Sequence, residues 1–228
     1  MRTALVTGAS SGIGRATAEL LVARGYRVLG TSRTPGSVQV DGVEWLPLDL
    51  EDRASIDALA QASGAVDVLV NNAGESQVGA LEELPIDEVR RLFELNVFAP
   101  VRLTQLLAGG MRRRGYGRVV MVGSMQASFP LAFRSSYGAS KAAIKAFASN
   151  ARFELSPYGV WLSTVEPGSI NTGISTRRDK HLADGSPYTA DYTTVLGRLD
   201  ANEPKGISAE QVAGTILKAI EADRPRPV

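Results

Sequence analysis

The sequence contains no cysteine and a single histidine, His181, among its 228 residues. Without cysteine, disulfides, thiolate nucleophiles and cysteine-ligated metals are excluded. A zinc site built from several histidines is impossible, and a serine–histidine–aspartate triad would have to use His181. His181 lies in an irregular stretch, far along the chain from the candidate serine Ser124. We therefore predict no metal site and no hydrolase chemistry.

The sequence also has no large excess of positive or negative residues, and it has no long apolar run. Its formal net charge is +1, so the overall balance favours neither nucleic acid nor a membrane surface as a partner. No apolar stretch approaches the length of a membrane span, and no signal segment precedes the apolar run that begins at Thr3. We expect a cytoplasmic protein with neither a nucleic-acid nor a membrane partner.

Short apolar runs alternate with segments of helical periodicity along the whole chain. Runs that are apolar throughout are typical of parallel strands covered on both faces, and repeated βα units predict a doubly wound α/β domain. We predict one three-layer Rossmann domain over residues 1–228. The predicted strands are Thr3–Thr7, Tyr26–Thr31, Val43–Leu48, Val66–Val70, Arg118–Val122 and Trp161–Val165. The predicted helices begin near Ile13, Asp57, Pro85, Ser136 and Ala209, with Pro85 to Gly109 as one long helix and Ser208 as an N-cap.

Residues 173–205 differ from the rest, because glycine and proline are frequent there and the periodicity is weak. A loop of that length inside a compact domain is usually functional or disordered. We predict a lid-like substrate loop before the last helix; a surface insertion without function is the alternative.

A glycine-rich turn, Thr7-Gly8-Ala9-Ser10-Ser11-Gly12-Ile13-Gly14, joins the first strand to the first helix. Glycines permit a sharp turn and a close backbone approach to a diphosphate, and the helix N-terminus offers unpaired N–H groups to that anion. In this context the turn predicts a dinucleotide site, although a merely tight turn would look similar.

The end of the second strand predicts which dinucleotide is bound. An acidic residue there would bind the ribose 2′-hydroxyl of NAD, but Val28 to Val40 contains none and carries Ser32 and Arg33 instead. A guanidinium can pair with a 2′-phosphate. We predict NADP(H) as cofactor, a solvated surface arginine being the alternative for Arg33.

Tyr137 and Lys141 are four residues apart in a helical segment and so share one face. A neighbouring ammonium favours the phenolate of a tyrosine, which makes such a pair able to act in acid–base catalysis. The pattern is common by chance and decides nothing alone.

Taken together, however, these motifs resemble the short-chain dehydrogenase/reductase family in order and spacing. The glycine-rich turn, Asn71-Asn72-Ala73-Gly74, Asn96, Ser124, Tyr137-x-x-x-Lys141 and Pro167-Gly168 carry the resemblance, which covers Thr3 to about Thr172. It implies an oxidoreductase that transfers a hydride between a nicotinamide and a carbonyl or secondary alcohol.

The resemblance also implies roles for individual residues. Tyr137 would donate or accept the proton, Lys141 would favour the phenolate and bind the nicotinamide ribose, Ser124 would hold the substrate oxygen, and Asn96 would anchor a proton-relay water. Structural roles remain open: a turn at Asn71-Asn72, a helix kink at Asn96, a strand end at Ser124. The expected cofactor-binding residues are Gly8, Ser10, Ser11, Gly12, Ile13, Gly14, Ser32, Arg33, Asp49, Leu50, Asn72, Ala73, Gly74, Tyr137, Lys141, Pro167, Gly168, Ile170 and Thr172.

Two features depart from the family pattern. Many NADP-preferring relatives carry a basic residue immediately before Gly12, where this chain has Ser11, so we expect modest preference for NADP over NAD. The family usually continues into a seventh strand after its last helix, whereas this chain stops at Val228. We expect either further natural residues or a disordered tail, and a homo-oligomer, a dimer or a tetramer, of which the dimer needs no seventh strand.

The substrate is constrained only by analogy. Arg33–Glu44 and Val165–Gly168 resemble a subgroup that includes steroid, retinol and carbonyl reductases, and the apolar residues after Ser124 suit a lipophilic ketone. Those same residues, Met125, Phe129, Leu131 and Phe133, could equally serve ordinary packing. The alternative from another functional class is a non-catalytic NADP-binding sensor or regulator of the same fold.

Overall fold

The computed structural model describes residues 1–35, 40–171 and 173–226, and its centre is one parallel sheet of six strands. The strand order is β3-β2-β1-β4-β6-β7, so the order reverses between β1 and β4. This is the doubly wound Rossmann arrangement predicted above, and all six predicted strands are present. The strands are Thr3–Val6 (β1), Arg27–Ser32 (β2), Val43–Pro47 (β3), Val68–Asn71 (β4), Gly117–Val122 (β6) and Val160–Val165 (β7). Between β4 and β6 in the chain, Gln77–Gly79 (β5) pairs in parallel with Asp179–His181 (β8) as a separate two-stranded sheet.

Helices cover both faces of the six-stranded sheet. One apolar core packs α2, α4 and α5 against the sheet, through residues such as Leu59, Leu103 and Ile144. The other packs α1 and α7 against the opposite face, through Leu21 and Ile216 among others. The central strands are therefore buried on both sides, which is why their middle residues are apolar. The helices are Gly12–Ala23 (α1), Arg53–Ala62 (α2), Ile86–Phe93 (α3), Ala99–Arg114 (α4), Ser135–Leu155 (α5), Thr189–Asn202 (α6) and Ala209–Glu221 (α7).

The long helix predicted from Pro85 is not continuous. A π-helical segment, Glu94–Phe98, separates α3 from α4. Single-turn π segments are rare among helices, and those that do occur are often found at functional sites. The apolar periodicity continues through this segment, and the interruption falls at Asn96, where the sequence left a helix kink open as an alternative.

The prediction of an irregular loop over residues 173–205 is wrong for most of that range. It contains a 3₁₀ turn at Ile174–Arg177, strand β8 and helix α6. His181, expected in a loop, lies in β8 and pairs with Gly79 of β5. The order of this region comes from tertiary pairing, because β5 and β8 are more than 90 residues apart in the chain and each has only three residues.

The described part of the tail lies along the edge of the sheet. The Ser163 hydroxyl of β7 donates to the Arg226 carbonyl at 2.7 Å, and the Arg152 guanidinium of α5 donates to the Pro225 carbonyl. Among the helices of the described residues, none combines the length and apolar character that crossing a membrane requires. Thr172 and part of the Arg33–Glu44 stretch lie outside the described residues.

Candidate active site

A cavity of about 690 Å³ opens at the carboxyl ends of the central strands, where the strand order reverses. Ligands of doubly wound folds bind at this point of the sheet. Every described residue predicted above for the cofactor and the chemistry lines this cavity, with the exceptions of Gly14, Asn71 and Asn96. Those three support the lining from behind. Sequence reasoning missed several polar or charged lining residues: Glu51, Glu75, Ser76, Gln126, Arg134, Arg177, Arg178 and Glu203.

The glycine-rich turn is held in place by the loop after β4. The Thr7 hydroxyl accepts from the backbone N–H groups of Asn72 and Ala73 at 2.9 and 3.0 Å, and Asn72 Nδ2 donates to the Thr7 carbonyl at 2.9 Å. A Cβ on Gly14 would lie 2.3 Å from the Gly8 carbonyl oxygen and 2.4 Å from Asn72 Nδ2, so only glycine fits there.

The same turn leaves the N-terminus of α1 open toward the cavity. The N-cap residue Ser11 makes no side-chain capping bond, and no acidic residue lies in the first turn of the helix. An uncapped helix N-terminus carries unpaired N–H groups and partial positive charge. The residues present therefore fit the diphosphate of a dinucleotide.

Two arginines from distant parts of the chain lie at this nucleotide end. Arg33 follows β2, is exposed, and has no carboxylate partner among the described residues. Arg177 arrives from the 3₁₀ turn, and its Nη1 donates to the Ser11 hydroxyl at 3.3 Å. Ser11 is the position at which the sequence lacked an expected basic residue. Arg177 supplies a guanidinium there through space, which no sequence pattern indicates.

Asn96 sits in the π-helical segment and ties three elements together. Its Oδ1 accepts from the Glu75 backbone N–H at 2.9 Å, and its Nδ2 donates to the Glu75 carbonyl at 3.0 Å and to Ser140 Oγ at 3.2 Å. A Cβ on Gly74 would lie 2.9 Å from Asn96 Oδ1 and 3.5 Å from Lys141 Nζ. Asn96 is thus placed directly behind the lysine, with Gly74 allowing the close approach.

Tyr137 and Lys141 both line the cavity on α5 and are each 7% exposed. Lys141 Nζ donates to the Val122 carbonyl at 3.0 Å and lies 5.8 Å from the centroid of the Tyr137 ring. Ser124 begins the turn after β6, and its Oγ accepts from the Gln126 backbone N–H at 3.2 Å. The fold thus brings the predicted proton donor, ammonium and hydroxyl to one wall of one cavity.

A further cation lies against Tyr137. The guanidinium carbon of Arg134 is 4.1 Å from the centroid of the Tyr137 ring, within the range of a cation–π contact. Arg134 Nη1 donates to Ser76 Oγ at 2.8 Å and to the Gln77 carbonyl at 2.9 Å. Burial lowers the pKa of Arg134 to about 10, so the guanidinium remains protonated at neutral pH. A basic residue three positions before a tyrosine carries no recognisable signal in the sequence.

Outside the cavity, Glu88, Asp179 and His181 have ligand atoms within 4.8 Å of one another, which is close enough for a metal ion. Arg91 occupies this cluster: its Nε contacts Glu88 at 2.9 Å and its Nη2 contacts Asp179 at 3.3 Å. His181 Nε2 also contacts Asp179, at 2.9 Å. The cluster is an ion-pair network in which a guanidinium already balances the acidic groups.

The family model described as short chain dehydrogenase matches residues 2–183. The chain belongs to this family. Dehydrogenase/reductase SDR family member 7B from Bos taurus is 37% identical to this short-chain dehydrogenase, over 95% of this chain and 69% of that protein. The NADPH-dependent 3-dehydrocapnine reductase of Ornithobacterium rhinotracheale is 33% identical, over 99% of this chain and 86% of that protein.

Solved structures agree with the architecture of this short-chain dehydrogenase. A short-chain dehydrogenase from Streptomyces avermitilis superposes with a TM-score of 0.88 at 36% identity, covering 99% of this chain and 85% of that one. A short-chain dehydrogenase from Sphingobium yanoikuyae, solved in complex with NADPH, superposes with a TM-score of 0.78 at 26% identity, covering 99% of this chain and 86% of that one. The chain is accordingly a nicotinamide-dependent oxidoreductase of the dehydrogenase/reductase type, acting on alcohol or carbonyl groups.

Proposed function

We propose that this protein is an NADP(H)-dependent reductase or dehydrogenase of a lipophilic ketone or its secondary alcohol, with Tyr137 as the proton donor or acceptor. The observation that carries the proposal is one continuous cavity, lined at one end by the glycine-rich turn and at the other by Ser124, Tyr137 and Lys141.

The proton chemistry belongs to side chains of α5 and of the turn after β6. The Tyr137 hydroxyl delivers a proton to the carbonyl oxygen in reduction, or removes one from the alcohol in oxidation. The Ser124 hydroxyl donates a hydrogen bond to the same oxygen, and as a group fixed at a strand end it needs no reorganisation. Lys141 carries a buried positive charge that favours the phenolate after the proton has left.

Asn96 does not line the cavity, and we assign it to positioning. Its bonds to Glu75 and Ser140 hold the loop after β4 against α5. The loop after β4 and helix α5 both carry site residues, so the π-helical segment sets the distance between these two elements. A water bound near Asn96 would resupply protons to Lys141.

The cofactor would be held by the turn at Gly8 to Gly14 and by the loops after β4 and β7. The bound nicotinamide supplies the hydride. Asp49 and Leu50 line the adenine end of the cavity, while Pro167, Gly168 and Ile170 line the wall beyond Ser124. Of the side-chain oxygens of Asp49, Oδ1 accepts from the Glu51 backbone N–H at 3.0 Å, which leaves Oδ2 for the adenine.

Arg33 and Arg177 support NADP(H) rather than NAD(H). Both are exposed guanidiniums at the nucleotide end, and a guanidinium binds phosphate through paired, charge-assisted hydrogen bonds. The relative named as NADPH-dependent and the neighbour solved with NADPH are consistent with this preference.

The lipophilic substrate is supported by the cavity wall beyond Ser124. Met125, Phe129 and Leu199 line the cavity there, and Phe129 is 63% exposed. An aromatic side chain left this open on the rim of a cavity is suited to contact with an apolar ligand.

The test is to titrate the protein with NADPH and with NADH by cofactor fluorescence, and then to follow NADPH absorbance with a panel of ketones. Tyr137→Phe retains the ring but has no proton to give, so we expect turnover to fall roughly 10²–10⁴-fold while NADPH still binds. Tyr158→Phe, a change of the same kind at an exposed tyrosine outside the cavity, should leave turnover at the wild-type level.

Tight NADPH binding without turnover of any carbonyl or alcohol would favour the non-catalytic sensor. Equal turnover in wild type and Tyr137→Phe would contradict the assignment of Tyr137. Absence of binding to either nucleotide would contradict the proposal as a whole.

A further inference from the structure

The cavity contains a buried positive charge that the proposed chemistry does not use. Arg134 is 6% exposed and lines the cavity, yet it has no carboxylate partner among the described residues. Two of its five N–H groups are used, by Ser76 and by the Gln77 carbonyl, both through Nη1. Its Nε is buried without a hydrogen bond, and Nη2 has no acceptor within the described part of the chain. Buried charges in proteins are normally paired.

A second guanidinium lies close to the first. Arg178, from the segment between the 3₁₀ turn and β8, is 9% exposed and lines the same cavity. Its charge acts on Arg134, lowering the pKa of that residue. Arg178 has one ion pair, with Asp200 at 2.5 Å, and Asp200 is itself partly exposed. Its Nε has no hydrogen bond in the described part of the molecule.

No acidic residue of the described chain forms an ion pair with Arg134, although several lie near this end of the cavity. Glu75 contacts Arg91 at 2.8 Å, on the side of the ion-pair network. Glu203 lines the cavity, but the charged groups that act on Arg134 are Tyr137 and Arg178. Beside Tyr137, Arg134 thus has no carboxylate partner in the described part of the chain, and Arg178 has one, Asp200.

The backbone holds Arg134 in place with a conformation that proteins rarely adopt. Phe133 has φ of 62°, the sole non-glycine residue of the described chain in the left-handed region. Its carbonyl accepts from the Gly79 N–H at 3.0 Å, and its ring makes edge contacts with Tyr188 and Tyr192 of α6. Strained residues of this kind persist where surrounding contacts enforce them and cluster at functional sites.

We propose that the substrate carries an anionic group, a carboxylate or another oxoacid, a few atoms from the reacting carbonyl, and that Arg134 and Arg178 bind this group. The inference rests on the proposed function. Arg134 touches the ring of Tyr137, so an anion on its free nitrogens lies beside the carbonyl that Tyr137 protonates. Met125, Phe129 and Leu199 line the same cavity, so the remainder of the substrate is apolar. The substrate class is an amphiphilic oxo acid.

The experiment compares acids with their neutral counterparts on the NADPH-loaded protein. Straight-chain ten-carbon oxo acids with the ketone at carbon 2, 3 or 4 are each assayed beside their methyl esters. Wild type should have a kcat/KM at least about tenfold higher for the best acid than for its ester, as charge-assisted hydrogen bonds predict. Calorimetric titration should likewise show that decanoate binds more tightly than 1-decanol.

Variants then assign the preference to the two arginines. Arg134→Gln and Arg178→Gln should each raise KM for the acid about tenfold or more and leave KM for the ester within about twofold. Arg134→Lys retains the charge and should retain part of the preference, which guards against a loss of fold in the glutamine variant. Asp200→Asn removes a competing anion and should strengthen acid binding. Arg198→Gln, at an exposed arginine of α6 outside the cavity, is the matched control.

The outcomes separate this inference from the proposed function. Turnover of esters and acids at equal efficiency, or an acid preference unchanged in both glutamine variants, would overturn the anion site and leave the reductase intact. Loss of acid and ester turnover in equal proportion in Arg134→Gln, with Arg178→Gln unaffected, would show that Arg134 serves the structure only. Turnover of neither class by wild type would be a failure of the proposed function itself.

Discussion

Arg33 and Arg177 are 144 residues apart in the chain, yet both lie at the nucleotide end of the cavity. Arg33 was predicted from the sequence, because it stands at the end of the second strand, where NAD-binding proteins carry an acidic residue. Arg177 was not predicted, because it lies in a stretch without periodicity. Arg177 lies beside Ser11, where the expected basic residue is missing from the sequence, and the expectation of modest NADP preference stays a prediction.

At this scale the prediction concerns cofactor choice. Arg33→Ala and Arg177→Ala should each weaken NADPH binding roughly 10- to 100-fold, since each removes a guanidinium able to bind the 2′-phosphate. NADH affinity should change by less than about threefold, because NADH has no phosphate at that position. Fluorescence titration with both nucleotides measures the ratio.

Arg15→Ala is the control for net charge, because Arg15 is an exposed arginine of α1 that pairs with Glu19 and does not line the cavity. A parallel loss of NADPH and NADH affinity in Arg177→Ala would instead place that guanidinium at the diphosphate, which the two nucleotides share.

The helical run from α3 to α4 is interrupted at a residue of the candidate site. The π-helical segment at Glu94–Phe98 turns Asn96 toward Glu75 and Ser140. Pro100, in the first turn of α4, has no N–H for an i→i−4 bond to the Asn96 carbonyl, so the regular helical ladder is broken at this point by the sequence itself. The sequence predicted Asn96 as a site residue by family resemblance, and its partners Glu75 and Ser140 are set by tertiary contacts.

Helix α7 illustrates an element whose start is encoded locally. Ser208 Oγ accepts from the Gln211 backbone N–H at 3.3 Å, and Gln211 Oε1 accepts from the Ser208 N–H at 2.9 Å, forming a capping box. Val212 and Ile216 of α7 pack into the core on the α1 face of the sheet. The N-cap predicted from the sequence is thus present.

Ser208→Ala should lower the free energy of unfolding by about 1 kcal/mol, because the Gln211 backbone N–H loses its acceptor, the Ser208 hydroxyl. Urea denaturation followed by circular dichroism measures the change. Thr215→Ala, on an exposed position of the same helix but outside the cap, should change the stability by less than about half that amount. Equal losses in both variants would mean that the capping box is not the cause.

The whole molecule exposes large apolar side chains on one pair of helices. Phe147 and Phe153 of α5 are 45% and 79% exposed, and Phe98, adjoining α4, is 50% exposed. Exposed aromatic side chains on packed helices are suited to burial against another protein chain. The homodimer expected from the sequence stays a prediction, and α4 with α5 is the face on which we expect it.

A double substitution, Phe147→Glu and Phe153→Glu, should shift the protein from dimer to monomer, because burying two carboxylates against an apolar partner is costly. Sedimentation velocity measures the mass of the species in solution. Phe129→Glu, at an aromatic residue on the cavity rim, should leave the mass unchanged. A wild-type protein that sediments as a monomer at all concentrations would contradict the predicted interface.

The sequence by itself determined the sheet, its flanking helices and the two ends of the cavity. The middle residues of strands β1, β4 and β6 are apolar because these strands are buried on both faces, and that pattern can be recognised without the structure. The glycine-rich turn and the Tyr137–Lys141 pair follow short-range spacing rules of the same kind. Where the geometry of a site is set by neighbours in the chain, the residues alone were sufficient.

Only the tertiary structure decided the pairing of β5 with β8, the position of helix α6 and the arrival of Arg134, Arg177 and Arg178 at the cavity. A three-residue strand has no periodicity to detect, and an arginine in an irregular segment resembles any solvated cation. Their roles come from burial and from partners that are distant in the chain. The charge of the proposed substrate site is therefore a property of the fold, whereas the chemistry proposed for Tyr137 could be inferred from the sequence.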